Sequence, residues 1–251
     1  MPRDLAQADA ARAVVFAPLD GIGRGERVAQ RLRDAILSGI LRDGERLPSE
    51  SETARRFGVA VVTAREALES LREQKLVQTR RGREGGSFVT FDRERAARLM
   101  DERVCGMSRG ELRDFALYYA AIAGAAAEAA ADRAGPEDLA RLAELEDGAV
   151  EESLGAARRA VGRFQLEIAA LSQSPRLVRA ELNLQVEAGS LLWLWLREPD
   201  GRARSRQARA KILESLEQSP EAARAAAVAH IEAAADWLIE EKERLEAALE
   251  G

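Results

Sequence analysis

The residues of this chain best placed to do chemistry are hydrogen-bond donors, not nucleophiles. Thr63 and Arg65 stand two apart in VVTAREALESL, and Arg81, Gly82, Arg83, Gly85 and Gly86 crowd into RRGREGG soon after. Arginine offers paired N–H donors that fit guanine O6 and N7 or a phosphate, and glycine lets a backbone come close to phosphate oxygens. That chemistry is nucleic-acid recognition. Catalytic sets are missing from the sequence. It has one histidine, His230, and one cysteine, Cys105, with no Ser-His-Asp or Cys-His set, no Walker loop and no paired carboxylates at motif spacing. Gly82 to Gly86 superficially suggests a phosphate loop, but a strand candidate follows it where such a loop needs a helix. No enzyme is expected.

The elements that must position these donors can be read from spacing. Ser49 is a helix N-cap with Glu52 as its capping-box partner, so a first short helix starts at Glu50 and Gly58 stops it. A second helix from about Val62 to Gln74 puts Ala64, Ala67, Leu68 and Leu71 on one face and leaves Thr63, Arg65, Glu66, Glu69 and Arg72 on the others. Two helices around a tight turn form a helix-turn-helix, whose second helix can enter the DNA major groove. A supporting helix is expected over 26–38, and Arg46-Leu47-Pro48 is a short extended approach. Leu76–Thr79 and Ser87–Thr90 are strand candidates flanking the glycine and arginine cluster, which makes a β-hairpin wing.

Charge divides the chain in the same place. Residues 1–91 carry 16 Lys/Arg against 13 Asp/Glu, net +3, whereas the remainder carries 22 against 30, net −8. The basic excess lies with the helix-turn-helix, which suits phosphate contact. A length of 251 residues and 46% apolar content allow two domains, and 4% aromatic content with many alanine runs favours helices. The expected organisation is a flexible arm over 1–20, a winged helix-turn-helix over 21–91 and an all-helical bundle over 92–251, so the fold class is mainly α. Seven helices are expected in the second part, near 93–104, 108–134, 136–152, 155–172, 175–196, 203–218 and 220–249. Trp193 and Trp195, two apart on one such helix, would face different ways. With a single cysteine, no signal-like start and no apolar run of membrane length, the chain is expected to be cytoplasmic.

The run from Glu26 to Val89, ERVAQRLRDAILSGILRDGERLPSESETARRFGVAVVTAREALESLREQKLVQTRRGREGGSFV, resembles the winged helix-turn-helix of the GntR family of bacterial transcriptional regulators. The resemblance implies that Ser49, Thr63, Arg65 and the wing from Arg81 to Gly86, including Arg83, lie at or near DNA. Where many relatives carry arginine, this chain has Ser51 and Val61, neither of which can replace the paired guanine contact.

The segments RAGPEDLARLAELE, FQLEIAALSQSPRLV and KILESLEQSPEAARAAAVAHIEAAADWL are similar to the ligand-binding domain, often called FCD, of the FadR subfamily. In many relatives an Asp and three His hold a divalent metal there. The matching positions here are Val161, Gln165, Arg209 and His230, so neither metal nor other cofactor is expected. Arg209 can instead meet a small anionic effector, an organic acid or acyl compound, with Tyr119, Gln165 and His230 as hydrogen-bonding neighbours. The plainer alternative is that Arg209 pairs with a nearby acid and His230 is a satisfied core histidine.

The resemblance thus implies a ligand-responsive, homodimeric repressor of a pseudo-palindromic double-stranded DNA operator, with no membrane role. An architectural DNA-binding protein without an effector is the alternative.

Overall fold

The computed structural model describes residues 15–16, 24–37, 40–82, 85–90, 92–149, 151 and 153–250. The fold is mainly helical, and the chain divides into two compact units, Met1–Leu99 and Met100–Gly251. In the first, α1 (Arg24–Leu37), α2 (Glu50–Phe57) and α3 (Val61–Glu73) precede the hairpin β1 (Val77–Arg80) and β2 (Gly86–Val89). Val28, Leu32 and Ile36 of α1 close a core with Phe57, Leu68 and Leu71, each fully buried side chain of this kind contributing about 1.5–3 kcal/mol. That core fixes α3 with its polar side outward.

Local chemistry sets the ends of these elements. Ser49 Oγ accepts from the Glu52 N–H at 3.2 Å. The Glu52 carboxylate, however, turns forward to Arg56 at 2.6 Å and does not close the expected capping box, because a cationic partner one turn on competes for it. Gly58 ends α2 in the left-handed conformation at φ +67°, which costs glycine little. In the antiparallel hairpin Val77 pairs with Val89 and Arg80 with Gly86. The approach strand joins it: Leu47 N–H donates to Ser87 O at 2.8 Å and Val89 N–H to Glu45 O at 2.9 Å.

Most of the expected arm lies outside the described residues. Val15 and Phe16, which are described, are buried, and the Phe16 ring packs 5.5 Å from Phe57. A mobile arm is therefore the wrong description of these two residues, whose apolar side chains complete the core beside α2.

The second unit begins within α4 (Arg93–Gly106). It continues through α5 (Arg109–Arg133), α6 (Pro136–Asp147), α7 (Leu154–Leu171), α8 (Pro175–Leu184), α9 (Pro199–Gln218) and α10 (Pro220–Glu250). Ser108 and Glu111 form a complete capping box at the start of α5. α5 and α10 lie in close contact: a Cβ on Gly124 would stand 2.8 Å from Val228 Cγ2. Phe164, Ile168, Leu142, Ile212 and Leu216 form the apolar core beside them.

Three expected helices change. α6 stops at Asp147, five residues short of the expected end. The helix expected over 175–196 leaves α-helical geometry at Gln185, running through a π turn (Gln185–Gly189), one α turn (Ser190–Leu192) and a 3-10 turn (Trp193–Arg197). α9 then starts at Pro199, its proline at a position that needs no backbone donor. Among the described residues no helix is long and apolar enough to cross a membrane.

Candidate functional site

The outward side of α3 carries Arg65, exposed and bonded through Nε to Glu50 Oε2 at 2.9 Å. That single bond leaves the two terminal guanidinium nitrogens available and restricts the rotation of the side chain. Thr63 is half-buried, with its methyl turned toward α1, where a Cβ on Gly25 would meet it at 3.3 Å. Ser49 spends its oxygen as the α2 cap. Val61, Val62, Glu66 and Glu69 complete the exposed surface.

The wing requires its glycines. Gly82 sits at φ +112°, and a Cβ on Gly85 would lie 2.6 Å from Arg80 O, so no other side chain fits this tip without strain. Arg46 holds the tip from below, donating to Gly85 O at 2.7 Å. Arg80 lies over the Phe88 ring at 4.5 Å, and Arg81 is exposed. Gly86, at φ +150°, closes the hairpin beside Arg46. Arg83 lies outside the described residues.

The second unit places its chemistry inside. Arg209 is completely buried; its Nε donates to Glu146 Oε1 at 2.7 Å, its Nη1 to Ser205 Oγ at 2.9 Å, and its Nη2 to Glu151 Oε1. Arg206, half exposed, stands 3.6 Å from the other Glu151 oxygen. Ser205 Oγ is also 3.1 Å from His230 Nε2. Burial, and then the Arg209 charge, push the His230 pKa down to about 3, so the ring is neutral. Ser205 Oγ accepts from Arg209 and either donates to Nε2 or accepts from it, according to which imidazole nitrogen carries the proton, and Nδ1 takes the other role. That Nδ1 is buried without a partner.

Aromatic rings link this centre to Tyr119. The His230 ring lies 4.9 Å from Trp193 and 6.2 Å from Trp195, and Trp193 lies 6.2 Å from Tyr119. Both tryptophans are buried and lie beside the same imidazole, contrary to the α-helical expectation, because both sit in the 3-10 turn, whose three residues per turn bring positions two apart closer in angle than an α-helix does. The Tyr119 hydroxyl donates to Glu181 Oε1 at 2.7 Å, and Gln185 donates to the same oxygen at 2.8 Å. Burial raises the Glu181 pKa against those two bonds, and burial, then the Glu181 charge, raise that of Tyr119. Gln165 is buried with its Nε2 unpaired, and no hydrogen bond ties it to Arg209, His230 or Tyr119 among the described residues.

The four positions at which relatives hold a metal do not fit one. Val161 has no donor, Arg209 is a cation already bound to carboxylates, and His230 alone offers a suitable nitrogen. No group of three or more His, Cys, Asp or Glu among the described residues is placed to hold a metal ion.

Residues 24–89, from α1 to the end of β2, match the model of bacterial regulatory proteins of the gntR family, and residues 115–233 match the FCD domain. The HTH-type transcriptional regulator RmpR of Mycobacterium gastri is 41% identical over 180 residues, 71% of this chain and 66% of RmpR. This chain belongs to the GntR family, with an FCD-type C-terminal domain. MngR, the mannosyl-D-glycerate transport/metabolism system repressor of Escherichia coli, is 39% identical over 67 residues, 27% of each chain. The chain thus spans less than two thirds of these relatives' length. A GntR regulator structure from Rhodococcus sp. RHA1 is 23% identical, covers 86% of this chain and 98% of its own, and has a TM-score of 0.47. The domains and relatives are those of transcriptional regulators, which are not enzymes.

Within this GntR-family chain, several partners escape a reading of the sequence. Glu50 and Arg46 matter through contacts 15 and 39 residues away in the chain. Glu146 and Glu151 meet Arg209 across 63 and 58 residues. Glu181 carried a usable signal, a carboxylate one turn beyond the apolar residues Leu177 and Val178 of α8. Ser205, one turn before Arg209, carried another.

Proposed function

We propose that this protein is a ligand-responsive, sequence-specific DNA-binding transcriptional regulator, acting as a homodimeric repressor. The observation that carries the reading is the exposed Arg65, held by Glu50 with its terminal nitrogens open, on the outward side of a GntR-type α3. Two such modules related by a two-fold axis read a pseudo-palindromic operator, with wing arginines on the phosphates. MngR is a repressor, which supports that direction of regulation.

The effector is a small anion that enters the FCD domain by exchange. Arg209 faces two carboxylates with one positive charge, so a third anion adds only repulsion unless one carboxylate leaves. Glu151, in the segment between α6 and α7, is the one to leave, because Arg206 at the surface can receive it. Operator release then follows only if the effector prefers the displaced state.

The deciding experiment is an unbiased operator selection with purified protein, repeated with organic acids and acyl-coenzyme A thioesters. Enrichment of one palindromic site, lost with one such compound, is the expected result. Salt-sensitive binding without sequence preference would instead make this an architectural DNA-binding protein.

A further inference from the structure

We infer that Val61 and Val62 read thymine methyl groups in the major groove, an inference that rests on α3 being the recognition helix. These are the first two residues of α3, 44% and 58% exposed. Of the large exposed apolar side chains among the described residues, only these two belong to the N-terminal unit, the others being Leu117, Tyr118 and Leu249. The core has no use for them, since Ala64, Ala67, Leu68 and Leu71 already form the buried side of α3.

Their place on the helix suits base contact. Residues three and four apart share a helix face, so Val62 and Val61 both adjoin Arg65 from the N-terminal side. Recognition helices meet base edges with their N-terminal residues. Ala60, the N-cap, is small and makes no side-chain cap bond, so nothing bulky stands in front of the helix end.

A valine can neither donate to nor accept from a base edge. The apolar group that a base pair presents in the major groove is the C5-methyl of thymine, and contact with it discriminates T from the other bases. β-Branching restricts χ1, so the valine methyls are offered in a fixed direction. The ligand chemistry is therefore a thymine beside the guanine that Arg65 takes. This compensates for the arginine that many relatives carry where this chain has Val61.

The test uses the full chain and the operator recovered by selection, with each dT replaced in turn by dU in both half-sites. That exchange removes the methyl and leaves the hydrogen-bonding pattern intact. Affinity is expected to fall about fourfold per lost methyl contact, the value of one buried carbon unit, at one or two positions beside a guanine and nowhere else. The Val61→Ala/Val62→Ala variant should bind the thymine operator correspondingly weakly and be indifferent to dU. Indifference of the wild-type protein to every dU overturns the inference. Unchanged dU sensitivity in the double variant overturns it too, and assigns the valines to a protein contact. A protein that enriches no sequence at all overturns the regulator reading itself, a separate outcome.

Discussion

The two units of this chain use arginine in opposite ways. Arg65 is exposed, has one ion-pair partner and keeps two nitrogens open, whereas Arg209 is fully buried and spends its nitrogens on two carboxylates and a serine. Water screens the first pair, so removing Arg65 subtracts a contact with DNA and little from the fold. The second is shut off from most solvent, so removing Arg209 takes the counter-charge from Glu146 and leaves buried Glu151 with Arg206 alone. The same side chain is a reader in one place and a brace in the other.

The sharpest way to break this comparison is Arg209→Ala, for which we expect a loss of about 3 kcal/mol in unfolding free energy from stranding Glu146 and leaving Glu151 with Arg206 alone. Urea denaturation measures it. Arg209→Met combined with Glu146→Gln and Glu151→Gln should recover most of the loss, since no buried charge is then left unmatched. If Arg209→Ala unfolds at the wild-type midpoint, the cluster is hydrated and Arg209 is no brace.

On the other side, Arg65→Ala should leave the urea midpoint unchanged and weaken operator binding roughly tenfold to a hundredfold, as expected for a lost bidentate base contact. Glu50→Gln should weaken binding by less, because it frees the guanidinium without removing it. Full operator affinity in Arg65→Ala would take that residue out of the interface.

This asymmetry also explains what could be read in advance. α3 runs over Val61–Glu73, within one residue of the expected span at each end, and the wing strands are offset by one residue. Their determinants are local: an apolar face at helical spacing, Gly58 as a stop, and glycines at the tip. The stretch from Gln185 to Arg197 was not legible. Its π and 3-10 turns accompany the close approach of α9, where a Cβ on Gly201 would fall 2.0 Å from Trp195 O, a tertiary constraint with no periodic signature. The partners of Arg209 were hidden for a related reason, since an acid about sixty residues away leaves no mark in the spacing around an arginine. Arg65 needed no partner to be found because its role faces outward.

His230 sharpens the contrast through pH. Its folded pKa of about 3 lies below the ordinary 6.5, so below pH 6.5 the unfolded chain takes up a proton that the folded chain refuses. Stability is then lost as pH falls from 6.5 toward 3, at up to about 1.4 kcal/mol per pH unit. Glu181 acts in the opposite sense: its raised pKa means that the folded state protonates first, which relieves its burial as pH falls. The difference in thermal midpoint between wild type and His230→Gln isolates the histidine. It should shrink steadily from pH 7 to pH 4, and a constant difference would show that His230 is hydrated or charged in the fold.

The smallest expected effect belongs to the wing. Arg81 is exposed next to Gly82, which sits at positive φ, on a hairpin that Arg46 holds by its bond to Gly85 O. A cation there contributes to affinity by releasing counterions from a phosphate, a contribution that does not depend on base sequence. Arg81→Ala should therefore weaken specific and nonspecific DNA to the same degree and reduce the slope of log affinity against log salt by about one. Arg65→Ala should do the reverse, lowering preference among sequences while leaving most of the slope. Titrations at three salt concentrations, on the selected operator and on a scrambled duplex, separate the two. If Arg81→Ala erases sequence preference, the wing reads bases, and the division between an α3 that specifies and a wing that anchors has to be redrawn.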